Sequence, residues 1–374
     1  MARNTLQSVQ NRIVALDVLR GFALFGVLLV NMLDFSSSAL RAETLGARGS
    51  ELDQIVDVAI AFFAITKFYL LFSFLFGVGF AVQMRRMAAS GRPFVGFYLR
   101  RLGGLFLIGL AHAVLVWDGD ILRLYAAAGV LLLVVRRWPV WALLALAGGV
   151  ALGGLLWFGL LADASTLSSL ALADSITVFR SGTYAEVVAY RLNQPMILDI
   201  QVPMVFVMFL LGLVAGRSGL LDEPARYQPL ARRWWKWALP VGLAGNALMM
   251  LGYADSDSLL ISLGVHVGAP ALSFVYACWG LLFAERLAWL APGGQMALTN
   301  YLSQSLVSTT LFYGYGFGLY DTLMPAAMLL VVCGLFGAQV LASRLWMRWF
   351  RFGPVEWLWR SWSYGQWQVL QRLP

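Results

Sequence analysis

Apolar runs long enough to cross a bilayer recur from one end of this chain to the other. A spanning helix needs about 20 mostly apolar residues. In lipid, each backbone polar group must also be satisfied within the protein. Those constraints leave few architectures. The runs read as about ten spans, near residues 14–33, 60–82, 99–117, 121–135, 138–160, 198–216, 237–252, 259–283, 296–315 and 322–343. Composition agrees: 60% of the residues are hydrophobic and 12% are charged, against roughly 45–50% and 25% in soluble domains. The expectation is an all-α polytopic integral membrane protein forming a single membrane domain over residues 1–374. The connections at 40–58 and 161–197 have room for surface helices.

The formal net charge of +8 has a topological explanation, and a nucleic-acid partner is not expected. Arg85, Arg86, Arg92, Arg100, Arg101, Arg136, Arg137, Arg232, Arg233 and Lys236 fall at one set of span ends. Asp34, Glu51, Asp53, Asp118, Asp120, Asp255 and Asp257 fall at the other. The positive-inside rule then places both termini in the cytoplasm. No small-residue cleavage motif follows the first apolar run, so a retained first span is expected. Tryptophan and arginine alternate with apolar residues over 344–374, around Gly353 and Pro354. That tail reads as a cytoplasmic interfacial segment of two helices and a break. It is either a surface anchor or a lid over a cytoplasmic opening.

The spans carry polar groups that need partners or a cavity. In the first, LDVLRGFALFGVLLVN, Asp17, Arg20 and Asn31 share one helix face. Asp17 and Arg20 are i,i+3 neighbours and can pair. That stripe either braces other helices or lines a cavity. In the third, His112 lies 11 residues beyond Arg101, about 16 Å along a helix. His266 sits at a similar expected depth, four residues before Pro270, which removes a helix hydrogen bond and predicts a kink. Each histidine is either an interhelical hydrogen bonder or a site residue; a neutral imidazole suits general-base work. Asp118 and Asp120 have three readings: orienting His112, binding a polar substrate group, or capping the next helix. Lys67 needs an acidic partner, with Asp34, Asp57 and Asp118 as candidates, or an aqueous cavity. Asn300, Gln304 and Ser308 recur at helical spacing, as interhelical glue or as cavity lining. The two cysteines, Cys278 and Cys333, have no metal-type spacing, and no metal site is expected.

Several islands carry a resemblance: RIVALDVLRGFALFGVLLVN at 12–31, KFYLLFSFLFGVG at 67–79, WDGDIL at 117–122, PGGQMALTNYLSQS at 292–305 and GPVEWLWR at 353–360. The chain resembles the bacterial YeiB-like membrane protein family, a family of unknown function (domain of unknown function family 418). That family is distantly similar to transmembrane acyltransferases, mainly through the L-D-x-x-R-G opening, here Leu16 to Gly21. The resemblance implies a transmembrane-acyltransferase-like bundle in the bacterial inner membrane. In those relatives an acyl-CoA enters from the cytoplasm and a membrane-embedded histidine serves transfer to an acceptor. The sugar O-acyltransferases end their first span on a histidine, where this chain has Asn31.

On that footing Arg12, Arg20, Arg100 and Arg101 would attract the donor's phosphates. His112, oriented by Asp118 or Asp120, would deprotonate the acceptor. Asn31 or Asn300 would donate to the developing oxyanion. Acyl-CoA is then a co-substrate, no cofactor is covalently bound, and the acceptor is a small or lipid-linked molecule. Membrane lipids are the expected surroundings, and helix contacts through glycine permit a homo-oligomer. The alternative is a transporter or lipid-handling protein, with Lys67, His266, Asn300, Gln304 and Asp34 lining a cavity for an anionic solute or headgroup.

Overall fold

A computed structural model describes residues 2–37, 49–161, 172–193, 202–219 and 224–372, with the backbone alone for 2–13, 172–176 and 224–226. The first helix, α1, is Ala2–Ser36. It is followed by α2 (Glu51–Phe63), α3 (Lys67–Ala89), α4 (Phe94–Leu115), α5 (Leu122–Val135) and α6 (Val140–Leu156). Two short helices, α7 (Leu172–Ser181) and α8 (Tyr184–Asn193), lie in the connection expected to hold a surface helix. Then come α9 (Val202–Arg217), α10 (Pro224–Asp255), α11 (Ser258–Leu263) and α12 (Ala269–Leu282). The chain finishes with α13 (Ala291–Gln295), α14 (Ala297–Phe312), α15 (Pro325–Trp349) and α16 (Pro354–Tyr364).

The protein is all-α among the described residues, apart from one isolated bridge between Phe350 and Gln371. Among the described residues, seven stretches are long and apolar enough to cross a membrane, including Val14–Ser36, Phe94–Leu115 and Pro325–Trp349. The expected spans at 121–135 and 198–216 are the shorter apolar helices α5 and α9. The ninth expected span is α14. Large apolar side chains face outward, including Trp141, Leu161, Trp237 and Leu330, as lipid-facing surfaces do. In lipid, packing rather than water exclusion drives helix association. The α3–α9 pair shows it: a Cβ on Gly77 would lie 2.2 Å from the Phe209 carbonyl oxygen, and one on Gly212 would lie 2.1 Å from that of Phe74. Phe76 stacks on Phe209 beside this contact, at 4.5 Å between ring centroids.

Two expected spans are built differently. The one at 60–82 is a broken pair, α2 and α3, interrupted just before Lys67, where Thr66 takes φ of 74°. The break frees carbonyls that a continuous helix would use. The Lys67 ammonium donates to Ala61 O at 3.3 Å. Hydroxyls of α12 meet two more carbonyls, Ser273 Oγ to Lys67 O at 2.7 Å and the Tyr276 hydroxyl to Phe63 O at 2.8 Å. The expected span at 237–252 belongs to the longer α10, with Pro229 and Pro240 inside the helix rather than at its start. Near Pro270 the chain widens into a π-helical turn over Gly264–Gly268, in which the Ala269 N–H reaches Gly264 O. The missing proline donor is absorbed by a change of helix pitch.

Candidate functional site

His112 lies in the last turn of α4, whose end is closed by the Val116 and Trp117 N–H groups on His112 O, both at 2.8 Å. The W-D-G-D turn then brings Asp120 back under the helix. His112 Nδ1 and Asp120 Oδ2 are 2.8 Å apart, and both side chains are almost wholly buried. An ionised carboxylate only accepts, so the shared proton sits on Nδ1. The other oxygen, Asp120 Oδ1, accepts the Arg123 N–H at 3.0 Å near the start of α5. One carboxylate therefore orients the imidazole and caps a helix. Asp118 does neither; its side chain is 41% exposed and lies 3.8 Å from Arg191 Nε.

His112 Nε2 is buried and has no hydrogen-bond partner among the described residues. Tyr301 of α14 covers one side of the ring at 5.3 Å, and Trp117 another at 6.4 Å. The Tyr301 hydroxyl lies beside the Ile121 amide without hydrogen-bond geometry. Arg123 Nε and all three Arg191 nitrogens are likewise buried without a hydrogen-bond partner, each Nε standing 3.8 Å from a carboxylate oxygen. Buried polar groups are usually satisfied, so this concentration around the α4–α5 turn marks it out. The turn is covered by α8, whose Tyr184 hydroxyl donates to Leu115 O at 2.8 Å.

A second node gathers the remaining sequence islands at the arginine-rich end. Asp17 and Arg20 pair at 3.2 Å on α1. The P-G-G-Q segment packs flush on that turn: a Cβ on Gly294 would lie 1.9 Å from Asp17 O, and one on Gly21 2.5 Å from Leu290 O. Glu356 of α16 accepts from Leu298 N (2.6 Å), Thr299 N (2.9 Å) and Thr299 Oγ1 (2.5 Å), capping α14. Gly353 precedes α16 at its N-cap, and Pro354 is its first residue. The indoles of Trp359 and Trp362 donate to Arg101 O and Arg100 O at 2.8 and 2.9 Å. The Arg101 guanidinium lies 3.5 Å above the Trp359 ring, a cation–π contact. Arg100 is exposed, Arg20 is one-third exposed, and the Arg12 side chain lies outside the described residues.

The other sequence candidates are dispersed. Asn31 is half-buried, one turn below Phe35, whose ring meets Trp117 at 4.4 Å. Asp34 is exposed at the end of α1. Asn300 donates to Gly293 O (3.1 Å) and Ser343 Oγ (2.9 Å), and Gln304 donates to Gln339 Oε1 (2.9 Å). These amides tie α14 to α13 and α15. His266 Nδ1 faces Ser262 O at 2.9 Å, and its Nε2 abuts Gly154, where a Cβ would lie 2.6 Å away. Lys67 is fully buried and pairs with no carboxylate among the described residues. A shallow groove of about 720 Å³ on the outer face of α2, lined by Glu51, Gln54, Ile55 and Phe62 among others, includes none of these residues. No group of three or more metal-ligating side chains occurs among the described residues.

Sequence reasoning missed Arg191, Tyr301 and Glu356. Arg191 carried a signal all the same, as a basic residue on the side where acidic residues predominate.

Residues 215–366 match the family described as "Protein of unknown function (DUF418)". The chain is 36% identical to the uncharacterized protein YxaH of Bacillus subtilis (strain 168), with 96% of each chain covered. It is 32% identical to the uncharacterized protein YeiB of Escherichia coli (strain K12), over 94% of this chain and 96% of that one. The chain belongs to the DUF418/YeiB family. A further relative, an uncharacterized 39.9 kDa protein from the amylase 3' region of Bacillus acidopullulyticus, is 28% identical over 96% of both chains. The YeiB-like protein is thus a membrane-embedded helical member of this family.

Proposed function

We propose that this YeiB-like protein moves an acyl group from cytoplasmic acyl-CoA to a hydroxyl or amine acceptor near the extracytoplasmic side of the bacterial inner membrane, with both termini in the cytoplasm. The observation that carries the reading is the buried His112–Asp120 pair with Nε2 left unpartnered. Asp120 fixes the ring so that Nε2 presents a lone pair, as a general base requires. Nε2 takes the acceptor's proton as the acceptor atom bonds to the thioester carbonyl carbon. The C–S bond then breaks, and the thiolate of CoA recovers a proton from the imidazolium. Such a base contributes on the order of 10²–10⁴ in rate. Asn31 suits the oxyanion role better than Asn300, because the Asn300 amide already donates twice. Arg20 and Arg100 are open to the donor's phosphates, with Arg12 as the third candidate. Arg101 joins them only when Trp359 moves aside.

Calorimetric titration of the detergent-solubilised full chain with CoA and with short and long acyl-CoA tests this. Donor binding is expected, weakened about tenfold by Arg100→Ala through loss of a phosphate contact and unaffected by His112→Ala. If the folded, lipid-bearing protein binds no donor, the acyl-transfer reading fails. The buried basic groups Lys67, which has no carboxylate partner among the described residues, and Arg191, which has no hydrogen-bond partner, then favour the handling of an anionic solute or lipid headgroup.

A further inference from the structure

We infer that Arg191 is a receptor for a phosphate group reaching the α4–α5 turn from the extracytoplasmic side, with Asp118 as the carboxylate that the phosphate displaces.

Arg191 projects from α8, and its side chain is 1% exposed. A guanidinium carries five N–H donors, yet Nε and both terminal nitrogens lack a hydrogen-bond partner. The Asp118 carboxylate stands 3.8 Å from Nε, beyond hydrogen-bond range. The Tyr313 ring lies 5.6 Å from the guanidinium carbon, a cation–π contact, and its neutral hydroxyl lies beside the fork without hydrogen-bond geometry. Buried arginines are ordinarily paired and hydrogen-bonded. This one is charged, fixed in place and short of anionic oxygen.

The surroundings hold the fork rigid. The Tyr184 hydroxyl ties α8 to Leu115 O, and the Gly314 N–H ties the end of α14 to Phe179 O at 2.8 Å. Asp118 is the mobile partner. Because its side chain is 41% exposed, it can turn into water without stranding a buried charge. A carboxylate ligand brings two oxygens, and the fork offers more donors than two oxygens use. A phosphate matches the fork and keeps a further oxygen for a neighbouring hydroxyl. Asp118 lies two residues from Asp120, so the bound group would stand beside His112. Under the acyl-transfer reading it would belong to the acceptor; binding at Arg191 is measurable without that reading.

The test uses the full chain in an uncharged maltoside detergent, titrated with inorganic phosphate, with micelle-diluted short-chain phosphatidic acid, and with acetate at matched ionic strength. A saturable response to phosphate or phosphatidic acid, and none to acetate, is expected. Phosphate alone would indicate a soluble phosphate ester, and phosphatidic acid alone a lipid headgroup. Arg191→Gln should abolish the response and Arg191→Lys weaken it. Asp118→Asn removes the competing carboxylate and should tighten binding on the order of tenfold. A purely structural ion pair would not produce that gain. The inference is overturned if neither phosphate probe binds, if acetate binds equally well, or if Asp118→Asn leaves affinity unchanged. Absence of phosphate binding by the unaltered chain, with acyl transfer intact, would overturn the Arg191 site and leave the proposed activity standing.

Discussion

Replacing Asp120 by asparagine should turn the His112 imidazole into its other tautomer. Asp120 Oδ1 accepts the Arg123 N–H, while Oδ2 faces His112 Nδ1 at 2.8 Å. In asparagine only one terminal atom can accept. The Arg123 N–H can only donate, so the amide oxygen stays there and the NH₂ group turns toward His112. Two donors would then confront each other unless the ring proton leaves Nδ1. A buried unsatisfied donor costs about 1–3 kcal/mol, so the Nε2–H form should win by roughly 5- to 150-fold. The protein has two histidines, which makes ¹⁵N-histidine labelling a direct assay. In the wild type both rings should be protonated at Nδ1, since His266 Nδ1 faces the Ser262 carbonyl. In Asp120→Asn the His112 pattern alone should reverse. Its Nε2 then loses its lone pair, and any activity that uses it should drop on the order of 10²–10⁴-fold. An unchanged His112 tautomer would refute the reasoning about Asp120.

Three other perturbations bear on the remaining parts of the structure. In Glu356→Gln the amide oxygen can keep the Leu298 and Thr299 N–H groups, while the NH₂ group faces the Thr299 hydroxyl, which must turn from donor to acceptor; loss of the charge-assisted cap should cost about 1 kcal/mol at neutral pH, seen as a lower Tm. Burial raises the Glu356 carboxyl above its ordinary 4.5, outweighing the hydrogen bonds from Thr299 and Leu298 that lower it. The folded chain therefore holds that proton more tightly than the unfolded one, and this contribution to stability declines as pH rises from 4.5 through the raised value; Glu356→Gln should remove the slope. Gly294→Ala forces a methyl onto Asp17 O and should destabilise by about 1–3 kcal/mol, whereas Gly334→Ala, with nothing within 4 Å of the new Cβ, should be close to neutral. Lys67→Met should leave Tm unchanged or raise it, because a buried charge without a carboxylate partner gains little from its site; a loss of about 3 kcal/mol or more would mean that a carboxylate pairs with it.

Much of the helical layout was legible because hydropathy reports what lipid requires, but short-range chemistry altered its details. The span at 60–82 looked continuous because Ala64 and Ile65 are as apolar as their neighbours. The interruption follows from the carbonyl that Lys67 needs. The span expected at 237–252 is part of the longer α10, which runs through Pro229 and Pro240. The sequence placed His112 beside two aspartates without choosing between them. The choice depends on the turn around Gly119, which brings Asp120 beneath the ring and directs Asp118 toward α8. The meeting of Arg191 with Asp118 was out of reach for a different reason: the two lie far apart in the chain, and neither α8 nor WDGDIL names the other. The tail left two readings open, and its docking on α4 and α14 depends on indole and carboxylate contacts that periodicity does not encode.

The three hydrogen bonds that seat Glu356 on α14 also constrain how the protein is made. During synthesis α14 is made well before residues 353–364. Its first amides wait for a partner 58 residues further along the chain, and the Arg101 carbonyl of the much older α4 for one 258 residues further. A chain that stops short of Gly353 retains its apolar helices but has no means of closing that end. An early helix is thereby closed by a segment made later, and its terminus stays open until that segment arrives.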